Sequence, residues 1–303
     1  MAKSDIRLII QGGALCAAFS FMIFLIPILG IFTNFFSLLP IFYVGICLGF
    51  KEYLLASLIP LAGYTILFGP IGIGIFGIAI FIPTASILYW HFLKEKNTYK
   101  FSATDILSRL AIWSIVVAAI GFSYLKLTNS TIFETLAQKI EIATKLAKAP
   151  SAPALFIQIF PGIAAISGLV MVWLNYQIAY ILALKANKSI RKPSAKQNIF
   201  LPPYWDVAFF TALWLILAND LFIESFLLGI FSRTALCICA FPLLIDGLGI
   251  AQLMAKYYKI PRAVIVIFAI VTFSLVWPMI FVVVLGLVEP LYGLKKKYYS
   301  KAN

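Results

Sequence analysis

Asp246 is the residue most able to do chemistry. It stands in Pro242-Leu-Leu-Ile-Asp246-Gly247, deep inside an apolar run. A carboxylate at the centre of a membrane helix costs about 2.5–3.5 kcal/mol, so it marks a ligand or ion site by default. The competing reading is a local partnership with backbone groups freed by Pro242. Trp173, Gln177 and Tyr180 recur at i, i+4 and i+7, with Asn175 and Tyr176 beside them. Such a stripe offers aromatic faces and an amide to a small ring-bearing ligand. It reads equally as an aromatic belt at a membrane edge. Gln11 is a weaker candidate of the same kind. Asp246, Gln177, Trp173 and Gln11 are therefore the expected ligand-binding residues. Asn219, Asp220 and Glu224 fall at the end of an apolar run and read as a solvated loop.

Other chemistries find little footing. His91 is the single histidine, which excludes paired-histidine zinc motifs. There is no G-x-S-x-G and no P-loop. Gly72-x-Gly74-x-x-Gly77 matches the dinucleotide fingerprint in letters only, because no strand precedes it and only apolar sequence follows. A glycine stripe for close helix packing is the better reading. Cys16, Cys47, Cys237 and Cys239 lie in apolar runs and form no C-x-x-C pair. No cofactor, metal or enzymatic activity is expected. A lipid-modifying enzyme would need polar residues clustered at one bilayer depth.

The elements that carry these residues follow from composition. The 303 residues are 63% hydrophobic and 12% charged, against about 45–50% and about 25% in soluble domains. With mean hydropathy +1.02, the chain reads as an all-α, polytopic membrane bundle. Apolar runs fall near 8–31, 34–50, 53–69, 70–93, 105–125, 155–184, 204–222, 226–254 and 263–288. That predicts eight or nine transmembrane helices. The first run is too long for a signal-peptide core and reads as a retained span. The net charge of +13 fits basic loops facing anionic lipid rather than nucleic acid.

Basic loops set the expected topology. Lys3 and Arg7, the loop with Lys94, Lys96 and Lys100, the loop with Lys185, Lys188, Arg191, Lys192 and Lys196, and the turn with Lys256, Lys259 and Arg262 share one side. The positive-inside rule makes that side cytoplasmic. Lys295, Lys296, Lys297 and Lys301 would lie outside after nine spans, which favours eight crossings and a cytoplasmic tail. Residues 130–148 break the pattern. Phe133, Leu136, Ile140, Ala143 and Ala147 recur at helical spacing opposite Gln138, Glu141, Lys145 and Lys148. This predicts an amphipathic interfacial helix. One membrane domain is expected over 1–303: six spans within 1–185, a basic cytoplasmic linker at 186–203, and the last spans with a basic tail at 204–303. Gly13 with Ala17, Ala14 with Ala18, and Ala164 with Gly168 are small-residue pairs for helix packing, or faces for a partner.

Several of these stretches carry a resemblance. Gln11-Gly-Gly-Ala-Leu, Phe36-Ser-Leu-Leu-Pro40-Ile-Phe-Tyr-Val-Gly45-x-x-x-Gly49, Asp246-Gly247-Leu248-Gly-Ile-Ala-x-Leu and Leu285-Gly286-Leu287-Val-Glu289-Pro resemble the YybS-like family of predicted bacterial membrane proteins, domain of unknown function 2232. Glu289 stands where that family carries an acid, with Tyr292 and Lys295 following. The resemblance implies a bacterial inner-membrane protein. It also implies distant similarity to the substrate-binding subunits of energy-coupling-factor transporters. The expected function is small-molecule binding and transport, with a membrane coupling protein and ATPase subunits as partners. The alternative is a membrane scaffold or assembly factor that acts through small-residue faces.

Overall fold

The computed structural model describes residues 3–93, 103–127, 135, 138, 153–186, 201–202, 204–274, 276–295 and 297–298. These are almost entirely helical, with no strand among them. The helices are α1 (Lys3–Leu25), α2 (Pro27–Phe35), α3 (Leu39–Leu48), α4 (Phe50–Phe68), α5 (Pro70–Gly72), α6 (Ile82–Leu93), α7 (Ala103–Leu127), α8 (Pro153–Lys185), α9 (Tyr204–Ala218), α10 (Phe226–Tyr257), α11 (Arg262–Ser274) and α12 (Val276–Tyr292). Ile73–Phe81 and Asn219–Ile223 are π-helical. Of the expected interfacial helix only Thr135 and Gln138 are described, both exposed. Most of the 186–203 linker also lies outside the described residues.

Among the described residues, six stretches are long and apolar enough to cross a membrane: Asp5–Leu25, Pro27–Leu48, Ile106–Tyr124, Gln158–Lys185, Tyr204–Ile223 and Phe226–Tyr257. Ala263–Thr272 and Trp277–Tyr292 form a pair bent by 104°, which brings the number to seven if they count as one span. The expected spans 53–69 and 70–93 do fold as helices. However, α4 carries Lys51 and Glu52 in its first turn, and the apolar helix Phe76–Phe92 is short.

Prolines explain where the helices depart from the hydrophobic runs. The run 8–31 does not stay one helix. Pro27 lacks an N–H and pushes Ile26 to an extended conformation, so α1 ends at Leu25. α2 folds back on α1 so closely that a Cβ on Gly30 would lie 2.1 Å from Ile23 Cα. The run 263–288 breaks for a related reason. Pro278 sits in the first turn of α12, where a missing N–H costs nothing, so the helix starts anew there.

The chain forms two compact units: Met1–Val117 with Ser167–Gln197, and Ala118–Ile166 with Asn198–Asn303. The passage at 197/198 falls in the expected linker, while α7 and α8 each contribute to both units. In the first unit, Ile41, Phe42, Ile46, Tyr53, Ile87 and Leu88 are fully buried. Gly13 lets α1 meet α4, since its Cβ would lie 2.4 Å from Ala56 O. In the second unit α10 is the central helix, with 61% of its apolar window buried. Its N-terminus is capped by Ser225, whose Oγ accepts from the Leu228 N–H at 3.4 Å.

Candidate functional site

Asp246 is 1% exposed, and its partner is a side chain, not the backbone around Pro242. Two glycines bring that partner within reach. A Cβ on Gly247 would lie 1.9 Å from Val282 O, and one on Gly286 would lie 2.2 Å from Leu243 O. The backbones of α10 and α12 therefore touch, as small residues allow in membrane helices. Glu289 follows Gly286 by three residues, on the same side of α12. Gly293 then takes φ +55°, a left-handed conformation natural to glycine, and its N–H donates to Glu289 O at 2.8 Å. The chain reverses there. The Lys295 N–H donates to both Glu289 carboxylate oxygens at 3.0 and 3.2 Å, and the Lys295 ammonium pairs with Asp246. Glu289 is 8% exposed and Lys295 4%.

Helix geometry gives this cluster a depth. Tyr257, Tyr258 and Tyr298 gather at the C-terminal end of α10, with centroids 5.0–6.5 Å apart. Such rings favour a membrane interface. Asp246 lies eleven residues before Tyr257, about 16 Å at 1.5 Å per residue, against about 30 Å of hydrocarbon. Arg233 lies 24 residues before Tyr257, about 36 Å, and so reaches the opposite interface. There it pairs with Asp220 at 2.8 Å. Asp246 thus sits near mid-depth. Lys295 points inward to meet it, the reverse of the usual snorkelling of lysine toward water.

The turn before α10 is more built than the solvated loop expected of Asn219, Asp220 and Glu224. Asn219 is 5% exposed, and its Oδ1 accepts from the Ser225 N–H at 3.1 Å. Asp220 holds Arg233, a residue that sequence reasoning passed over. Glu224 itself is exposed.

In the first unit the buried polar side chains, among the described residues, are serine, threonine, asparagine and histidine. His91 is 3% exposed, and its Nδ1 shares a 2.7 Å hydrogen bond with the Tyr176 hydroxyl. Tyr180 stacks on Tyr176, with planes 4° apart, and touches His91 edge-on. Tyr53 and Thr84 hydroxyls meet at 2.5 Å. Asn175 donates to Phe35 O at 2.6 Å and to Met171 O at 2.7 Å. The buried Trp173 Nε1 has no hydrogen-bond partner among the described residues. Gln177 is half-buried and Gln11 exposed. Arg109 stacks over Trp90, 3.7 Å from the ring centroid. Gln11, Trp173 and Gln177 belong to this unit and Asp246 to the other, so neither unit alone contains a pocket made of all four.

The rejected dinucleotide fingerprint lies at the start of the π-helical segment. Only Gly72 is in close backbone contact, its Cβ position being 2.0 Å from Tyr64 O. Among the described residues, no three His, Cys, Asp or Glu side chains converge to hold a metal ion. Among the described residues, the arrangement offers one buried ionic network, made by Asp246, Lys295 and Glu289. The model of the family described as "Predicted membrane protein (DUF2232)" matches residues 14–289, and the chain belongs to that family. No curated protein and no solved structure matches the chain.

Proposed function

We propose that this member of the family binds a small molecule within the bacterial inner membrane and takes part in its transport. The observation that carries the reading is the Asp246–Lys295 pair, buried beside a final apolar segment that bends by 104°. Charges at mid-depth and broken helices recur together where transporters bind and move their cargo. Trp173, Gln177 and Gln11 remain candidate contacts for the ligand in the first unit. The chain carries no nucleotide motif, so an ATP-driven cycle would draw on a membrane coupling protein and ATPase subunits. The reading assigns it no enzymatic step.

The topology we infer has eight crossings, with α11 and α12 entering and leaving on one side. Its support is the contact of Tyr298 with Tyr257 and Tyr258, which returns the tail to the end of α10 where α11 starts. Both chain ends and the basic loops then lie on the cytoplasmic side. Cysteine labelling of the tail in intact cells and in inverted vesicles tests this directly.

The functional test is purification of the tagged full chain in mild detergent, followed by mass spectrometry of proteins and small molecules. Transport predicts ATPase subunits or a retained small molecule, and loss of that molecule in Asp246→Ala. Unchanged retention and abundance in Asp246→Ala would remove Asp246 from the site. A scaffold role is the second reading, and Gly168 favours it. Gly13 is consumed by internal packing, whereas a Cβ on Gly168 would meet none of the described residues within 4 Å. The scaffold predicts a co-purifying envelope protein that Gly168→Leu loses.

A further inference from the structure

A cavity of about 720 Å³ opens where α10 ends and α11 begins. Its lining combines two chemistries. Ile260, Ile265 and Val266 supply an apolar wall, while Gln252, Lys256 and Lys259 supply an amide and two ammonium groups. Among the described residues, no acidic side chain lines it. The reversal that closes α10 builds the rim. The Ile260 N–H donates to Ala255 O at 2.8 Å, the Lys259 N–H to Lys256 O at 3.2 Å, and Lys259 adopts φ +56°. That left-handed conformation is uncommon for lysine. Both lysines are exposed. The Tyr257, Tyr258 and Tyr298 cluster sits at the same helix end, at headgroup depth by the argument above.

We propose that this cavity is a binding site for one anionic phospholipid. Lys256 and Lys259 hold the phosphate, Gln252 bonds the polar headgroup, and Ile260, Ile265 and Val266 pack against the upper methylenes of an acyl chain. The charge is complementary, and the volume lies in the range of about 300–1,000 Å³ typical of small-molecule sites. A soluble phosphate would satisfy the lysines but leave the apolar wall bare, whereas an amphiphile covers both. The site requires neither the transport nor the scaffold reading.

The test uses the full chain, purified and delipidated in a mild non-ionic detergent. It is titrated with phosphatidylglycerol or phosphatidylcholine, and bound lipid is counted by native mass spectrometry. The expected result is one retained phosphatidylglycerol, preferred over phosphatidylcholine. Its affinity should fall roughly 30-fold in Lys256→Gln/Lys259→Gln, taking about one fivefold factor per lysine. Lys256→Arg/Lys259→Arg should keep it. Ile265→Trp fills space at the apolar wall and should weaken retention with every charge in place. Equal binding of the two lipids by the unaltered chain would overturn the proposal. So would unchanged phosphatidylglycerol retention in the double glutamine variant. Displacement by soluble glycerol phosphate at the same concentration as lipid would also overturn it, since the site would then be one for free phosphate.

Discussion

The two units differ in the long-range partners of their buried polar groups. The first joins neutral partners: His91 with Tyr176, Tyr53 with Thr84, and Asn175 with the Phe35 and Met171 carbonyls. The second joins charges: Asp246 with Lys295, and Glu289 with the Lys295 N–H. Both arrangements give partners to groups that hydrocarbon cannot solvate, although Asn175 Oδ1 has none among the described residues. They differ in what breaking them does. A severed neutral bond leaves a modest desolvation penalty, while a severed ion pair leaves a full charge in low dielectric. The two units should therefore differ in what the loss of one partner costs.

The sharpest way to break this contrast is Lys295→Met. It should destabilise the second unit by about 3–5 kcal/mol, because Asp246 is left charged and buried. Adding Asp246→Asn should recover most of the loss, since the two changes act on one interaction. Unfolding in mixed micelles, followed by tryptophan fluorescence, reads both. Additive losses in the double variant would mean that the pair does not act as a unit.

Gly286→Val tests the packing that positions the pair. Its branched side chain would enter where a Cβ alone lies 2.2 Å from Leu243 O. Overpacking of this kind costs about 1–3 kcal/mol. If α10 and α12 separate, Lys295 also loses Asp246. The penalty should therefore shrink when Gly286→Val is placed on a Lys295→Met background.

Tyr176→Phe probes the neutral side of the comparison. It removes one hydrogen bond to His91 and should cost about 0.6–1.7 kcal/mol, the range for polar contacts between membrane helices. A loss equal to that of Lys295→Met would erase the distinction between the units. The same unfolding measurement decides it.

How much of this was legible beforehand follows from the reach of each signal. The helical membrane class was plain, because hydropathy is a local property of each run. Asp246 also stood out locally, as a carboxylate in apolar sequence. Its partner did not, since Lys295 lies 49 residues away and reaches Asp246 only after the reversal at Gly293. Counted by the positive-inside rule, Lys295 looked like one more tail charge. Arg233 was missed for a similar reason: its pairing with Asp220 depends on the turn at Asn219–Ser225. The partner of His91 was equally hidden, because Tyr176 lies 85 positions on. The break at Ile26 was in principle visible, because Pro27 follows it, but the apolar run continues through both and masked the stop.

Gly168→Leu should have the smallest effect on stability, within about 0.5 kcal/mol, because its Cβ meets none of the described residues within 4 Å and surface changes away from special features rarely exceed that. Gly13→Leu makes the contrast, since its Cβ position already lies 2.4 Å from Ala56 O and the larger side chain must force α1 from α4. The pair therefore separates two meanings of a small residue in a membrane helix. If Gly168→Leu leaves unfolding unchanged yet strips a co-purifying protein from the wild-type preparation, the open glycine is a docking face and the scaffold reading gains. If neither unfolding nor the set of co-purifying proteins changes, Gly168 serves no partner. The transport reading, resting on the charged unit, then stands without its rival.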